Sequence, residues 1–230
     1  MGIDPDPEFR GTKLAEAVSM AVHESQSRLW ENIVGRSRVF WERNFLALSA
    51  LLGKAGEDLD FKSFIESINR VSPSLIRTEA DEVTYGLHII ARFELESALL
   101  DGNLRVTDVP GAWREKYKQL LGLEVSNDRE GCLQDVHWSI GYFGYFPSYA
   151  LGNLYAAQFW AKLKEEVPDI EARIASGDVL SVLTWLRANV HCHGSRYMPG
   201  ELVEKITGSA LDPAWFERYL REKYSSIYGF

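Results

Sequence analysis

The feature that most constrains this chain is the stretch 13–34, which contains no glycine or proline and carries Leu14, Val18, Ala21, Val22, Leu29 and Ile33 at helical spacing. A period near 3.6 sustained this long commits the segment to helix. Thr12 stands where an N-cap belongs and Gly35 where a helix stops. The same period recurs at 39–52, 61–71, 77–100, 109–121, 151–166, 168–176, 179–190, 199–206 and 213–228, with Gly, Pro or Asn at most of the junctions. Only 102–109 could form a short extended piece. The expected fold class is therefore all-α, built from many helices, without internal repeats. From Gln134 onward a broken helix is expected. There Gly141, Gly144, Pro147 and Gly152 call for a kink or a close approach of backbones.

Composition narrows the function. A chain of 230 residues with 46% apolar side chains can bury a substantial core. Its net charge of −8 argues against nucleic acid, which needs a basic footprint. No apolar run approaches a membrane span, so no membrane partner is expected and the setting is read as cytoplasmic. Cys132 and Cys192 match no zinc-finger spacing and no disulfide scaffold. Residues 1–9 lack periodicity and read like translated cloning sites. They are expected to be a leader, with the domain proper at 10–230.

Three short blocks carry chemistry. The first is His23-Glu24-Ser25-Gln26. Neighbouring residues on a helix point about 100° apart, so His23 and Glu24 cannot serve one site equally. Glu24 either forms an exposed (i, i+4) pair with Arg28 or, if buried, needs a cation, a metal or several donors. The second block, 76–81, places Arg77 in a first helical turn, where the dipole disfavours it. Arg77 either pairs locally with Asp81 or offers a fork to a carboxylate. The third block, 131–138, sets Gln134, Asp135 and His137 just ahead of Tyr142, Tyr145 and Tyr149. It is either an aromatic core with satisfied polar tips or the wall of a site. His88, between Leu87 and Ile89, reads as a satisfied core histidine.

In order and in context, the three blocks resemble those of the carboxypeptidase Taq family of metallopeptidases, namely HES/GQ, IRxxAD and GxxQDxHW. The resemblance covers essentially 10–230 and implies the C-terminal helical part of a zincin-like catalytic domain. It implies Glu24 as the third zinc ligand, with His23 beside it as a supporting residue rather than a ligand. It implies Arg77, Gln134 and Tyr149 as substrate-binding residues, and Asp135 in the active-site wall. His137 and Tyr145 are implied as catalytic, His137 toward the substrate or its oxyanion and Tyr145 as the phenol stabilising a tetrahedral intermediate, with Tyr149 as its alternative. The family's HPF, DxRxT and HExxH blocks are absent from this sequence. HExxH supplies two histidine ligands and the general-base glutamate, and 191–193 (His-Cys-His) has the wrong spacing to replace it.

The expected function is therefore a metallocarboxypeptidase acting on peptides through zinc-activated water, here as a catalytically incomplete fragment with no zinc held. The alternative is an interaction or scaffold protein derived from the peptidase fold. A homo-oligomer is expected. The apolar residues of 13–34 exceed one narrow stripe, so self-association through that helix is the expected route, with rearrangement of the helix onto the chain's own groove as the alternative.

Overall fold

A computed structural model describes residues 7–230. Among the described residues there are helices, 3-10 turns and loops but no strand, as the periodicity requires. The chain divides into two compact units, one made of residues 7–68 and 151–230, the other of 69–150.

The first unit begins with α1 (Met20–Arg28), which runs on as a π-helix, Leu29–Val34. Thr12 does not start this helix. The carbonyl of Leu14 accepts the N–H of Ser195 at 3.0 Å, and Ser195 Oγ donates to the carbonyl of Lys13 at 2.8 Å. The Leu14 carbonyl is thereby given to a tertiary bond, and the Lys13 carbonyl is shared between Ser195 and the N–H of Glu16 at 3.1 Å. The segment makes one 3-10 turn at Lys13–Ala15, and the helix starts after Ser19, whose hydroxyl accepts from Val22 N at 3.1 Å. Gly35 closes the π-turn on Trp30 O at 2.8 Å.

Next come α2 (Arg38–Leu52), α3 (Lys54–Glu57) and α4 (Phe61–Ile68). In the second unit, α5 (Tyr85–Leu100) packs on α6 (Val109–Leu121). A long irregular segment then leads to α7 (Pro147–Glu166), whose residues from Leu151 on belong to the first unit. The first unit ends with α8 (Ile170–Ser176), α9 (Leu180–Asn189), α10 (Pro199–Thr207) and α11 (Ala214–Tyr228).

Its core gathers Val22, Leu29 and Ile33 with Phe159 and Leu163 of α7, Leu186 of α9, and Leu202 and Val203 of α10. Each such side chain taken from water contributes about 1.5–3 kcal/mol before entropy is counted. Most of the apolar surface of 13–34 is thus covered within the unit itself, and Leu14 and Met20 are what it leaves exposed. A smaller cluster joins Phe45 of α2 to Phe64 and Ile65 of α4. The second unit's core joins Ala91 and Leu95 of α5 to Trp113, Tyr117 and Leu121 of α6.

Residues 7–9 of the expected leader form a 3-10 turn, with Phe9 under the Arg196 guanidinium at 4.9 Å; the rest of it lies outside the described residues. Cys132 and Cys192 are in no disulfide among the described residues, and Cys192 Sγ donates to the Ala188 carbonyl at 2.9 Å. No helix is long and apolar enough to cross a membrane among the described residues.

Candidate functional site

In the first unit, Glu24 faces α7. A methyl group built on Gly152 would sit 2.7 Å from Glu24 Cγ and 2.9 Å from its Cβ, so only glycine lets α7 pass this close. This is the close backbone approach that Gly152 suggested in the sequence. Glu24 accepts a 3.0 Å bond from Arg28 Nε, the (i, i+4) pair read from the spacing. His23 points to solvent. Next to Glu24, Gln26 is buried and its Oε1 meets His191 Nε2 at 2.9 Å.

The second unit holds the denser constellation. Asp81 does not pair with Arg77. Its Oδ1 accepts the N–H groups of Val83 and Thr84, each at 2.9 Å, and its Oδ2 the Thr84 hydroxyl at 2.7 Å. That turn delays α5 until Tyr85 and leaves Arg77 in a separate 3-10 turn, Arg77–Glu79, rather than in a long helix from 77. From there Arg77 reaches Asp135, with Nη2 at 2.6 Å and Nε at 3.1 Å from Oδ1, while Nη1 bonds the Tyr85 hydroxyl at 3.1 Å. Arg92, fully buried on α5, grips the other oxygen, with Nε at 2.7 Å and Nη2 at 2.5 Å from Oδ2.

Two guanidiniums thus hold one carboxylate. Burial would raise the Asp135 pKa, but hydrogen bonding and charge from Arg77 and Arg92 prevail and lower it. For Arg77, burial works against the charge and is outweighed by Asp135 and Tyr85, so its pKa is raised. The fork expected to meet a peptide carboxylate is occupied by Asp135.

Gln134 is committed as well. Its Oε1 accepts Arg77 N at 2.9 Å, and its Nε2 donates to the carbonyls of Leu75 and Glu130, both at 3.0 Å. It staples the 75–77 turn to the 130–134 loop. The segment expected to be a broken helix contains only a 3-10 turn, Trp138–Ile140. Glu96 of α5 anchors it, accepting Trp138 Nε1 at 2.7 Å and the Gly144 N–H.

On this frame the His137 ring packs, tilted, 4.4 Å from the Phe146 ring, and its Nε2 lies 3.2 Å from the Tyr149 hydroxyl. Its Nδ1 is buried without a hydrogen bond, and Asp135 Oδ1 is 3.8 Å away. Burial, reinforced by Arg77 and Arg92 and opposed by Asp135 and Glu96, lowers its pKa and so favours the neutral imidazole. Tyr145 packs its ring 5.4 Å from His137 and 5.3 Å from Tyr149. The structure thus brings His137, Tyr145 and Tyr149 together, with Tyr149 rather than Tyr145 bonded to the imidazole. Arg77, Gln134 and Asp135 lie behind them.

Sequence reading missed Arg92, Glu96 and Tyr117. Tyr117 OH bonds Arg92 Nη1 at 3.0 Å and His88 Nδ1 at 3.1 Å. The available signal was phase: Arg92 and Glu96 fall on the face of α5 that carries His88, Ile89 and Leu95, so charged groups had to enter the core. His88 is the core histidine expected, although its Nε2 lacks a partner. Burial, then Arg92 and Arg77, hold its pKa down to about 4.

Among the described residues no three His, Cys, Asp or Glu side chains converge on a point where an ion could sit. The described residues do not by themselves fit a metal centre of three protein ligands.

Comparisons with known proteins agree with the three blocks. The sequence profile described as carboxypeptidase Taq (M32) metallopeptidase matches residues 1–224. Thermostable carboxypeptidase 1 of Thermus thermophilus is 50% identical over 96% of this chain and 43% of its own length. Carboxypeptidase 1 of Bacillus subtilis is 42% identical over 97% of this chain and 44% of its own. The crystal structure of the M32 carboxypeptidase from Deinococcus radiodurans superposes with a TM-score of 0.95 at 47% identity, over 98% of this chain and 46% of that one. The chain therefore spans less than half the length of these relatives. With its helical fold and all three blocks in place, it belongs to the carboxypeptidase Taq (M32) family of metallopeptidases.

Proposed function

We propose that this chain carries the substrate-facing part of a metallocarboxypeptidase that removes C-terminal residues from peptides. The observation that carries the reading is the His137–Tyr149 pair, built on a rigid buried ion cluster, in a chain matched by the family over nearly its whole length. A neutral imidazole and two phenols at one half-buried place offer uncharged hydrogen-bond partners for a peptide carbonyl and for the negative charge that grows on its oxygen. One preorganised donor of that kind contributes about 3–4 kcal/mol to such a reaction. Tyr145, whose ring packs against both His137 and Tyr149, is the first choice for that donor, and Tyr149, bonded to His137, is the second. Arg77, Gln134 and Asp135 hold the wall in place.

Glu24 is the proposed ligand for the family's metal, with zinc as the proposed ion. When bound, the metal supplies a polarised carbonyl and an activated water. Because the chain's residues do not complete that centre and the sequence contains no HExxH, the 230-residue chain alone is proposed to be catalytically silent. Its substrates are proposed to be peptides with a free C-terminus, and its setting the cytoplasm. Assembly as a homo-oligomer is proposed, although Val22, Leu29 and Ile33 are buried and leave α1 little apolar surface to offer.

The test is a chimera joining this chain to the part of the Thermus thermophilus relative that it does not cover. Metal-dependent release of the C-terminal residue from a blocked dipeptide supports the reading. A folded, metal-loaded chimera that releases nothing overturns it.

A further inference from the structure

His137 has two ring nitrogens in contrasting surroundings. Nε2 meets a phenol at 3.2 Å that can donate or accept. Nδ1 is buried, makes no hydrogen bond, and has Asp135 Oδ1 3.8 Å away. That distance is too long for a hydrogen bond but short for an electrostatic interaction inside a protein. The carboxylate cannot swing away, because Arg77 holds Oδ1 at 2.6 Å and Arg92 holds Oδ2 at 2.7 Å. The other charged groups acting on the ring are Arg77, Arg92 and Glu96; the rings of Phe146, Tyr145 and Tyr149 supply the remaining walls.

We infer that Asp135, locked between Arg77 and Arg92, fixes His137 as the Nδ1–H tautomer, so that Nε2 accepts the Tyr149 hydroxyl proton. The opposite tautomer would turn the Nδ1 lone pair toward a carboxylate oxygen in a buried place. With Nδ1–H, the electropositive, proton-bearing nitrogen is the one that lies 3.8 Å from that oxygen. Neutral His137 then has no hydrogen on the nitrogen that faces Tyr149, and the phenol is the donor of the pair. Arg92, outside all three sequence blocks, becomes a positioning residue acting through Asp135. This assignment rests on the reading of His137 and Tyr149 as site groups only for its consequence; the tautomer itself stands on geometry.

Long-range 1H–15N correlation spectra of the uniformly 15N-labelled chain, at a pH where His137 is neutral, read both ring nitrogens directly. The His137 signals are identified by their loss in His137→Gln. The expected result is Nδ1–H in excess over Nε2–H by more than about tenfold, the ratio set by one pKa unit of differential interaction with the carboxylate. Asp135→Asn should shrink that excess severalfold. If that variant fails to fold, Tyr149→Phe serves in its place and should retain Nδ1–H, because the carboxylate and not the phenol selects the tautomer. Nε2–H as the major form in the unmodified chain, or a switch to it in Tyr149→Phe, overturns the inference. An inactive chimera would leave these spectra unchanged, so failure of the functional reading is distinguishable from failure of this one.

Discussion

Replacing Gly152 with alanine tests whether α1 and α7 are in contact through Glu24. The new Cβ would lie 2.7 Å from Glu24 Cγ, 2.9 Å from its Cβ and 3.2 Å from its carbonyl carbon. Carbon atoms prefer to stay at least about 3.5 Å apart. Rotating the Glu24 side chain relieves only the first contact, because its Cβ and backbone are fixed by α1. One helix must therefore shift, at a cost of about 1–3 kcal/mol. Against this stands a gain of up to about 1 kcal/mol from alanine's helix propensity. Gly111→Ala isolates that gain: it lies in α6, and a Cβ there meets nothing within 4 Å. The two variants should differ by about 1–3 kcal/mol, with Gly111→Ala the more stable. Urea midpoints give the difference, and hydrogen exchange over Met20–Arg28 locates it. Gly152→Ala as stable as Gly111→Ala, with unchanged protection of α1, would refute the packing argument.

Other outcomes follow from the buried charges. Arg92→Leu should cost about 3–5 kcal/mol, because the Asp135 oxygen it grips is left half-paired away from water; a denaturant midpoint within error of the parent would contradict the clamp. His88 should make stability pH-dependent. Its folded pKa, about 4, lies below the ordinary value of about 6.5, so the unfolded chain binds the extra proton first. Stability is then full above about pH 6.5 and falls as pH drops toward 4, by up to about 3 kcal/mol. His88→Gln should flatten that slope in urea titrations, with His137 and His193, also lowered by burial, leaving a residue of it. In the chimera, Glu24→Gln should reduce bound metal by elemental analysis while the helical circular dichroism stays unchanged.

What was legible in the sequence was whatever depends on local pattern. The all-helical class, most helix ends after residue 109 and the Glu24–Arg28 pair all follow from spacing. What was not legible depends on partners far away in the chain. Leu14 gives its carbonyl to Ser195, so α1 starts late. Arg77 bypasses Asp81, four residues on, for Asp135, because Asp81 is spent on the turn before α5. Arg92 looked like one more helix charge until its phase placed it in the core beside Ala91 and Leu95. The blocks at 76–81 and 131–138 come together in the second unit through Arg77, Gln134 and Asp135. Their arginine and amide bond each other, while the imidazole packs against Tyr145, Phe146 and Tyr149.

The most direct test of the account is the purified 230-residue chain, assayed with and without added zinc for release of a C-terminal residue from a blocked dipeptide. With Glu24 as the proposed ligand, no cluster of three ligands among the described residues and no HExxH in the sequence, the account predicts no metal-dependent release at any zinc concentration that leaves the chain folded. Zinc-dependent release that is abolished by a chelator and restored by the metal would contradict it.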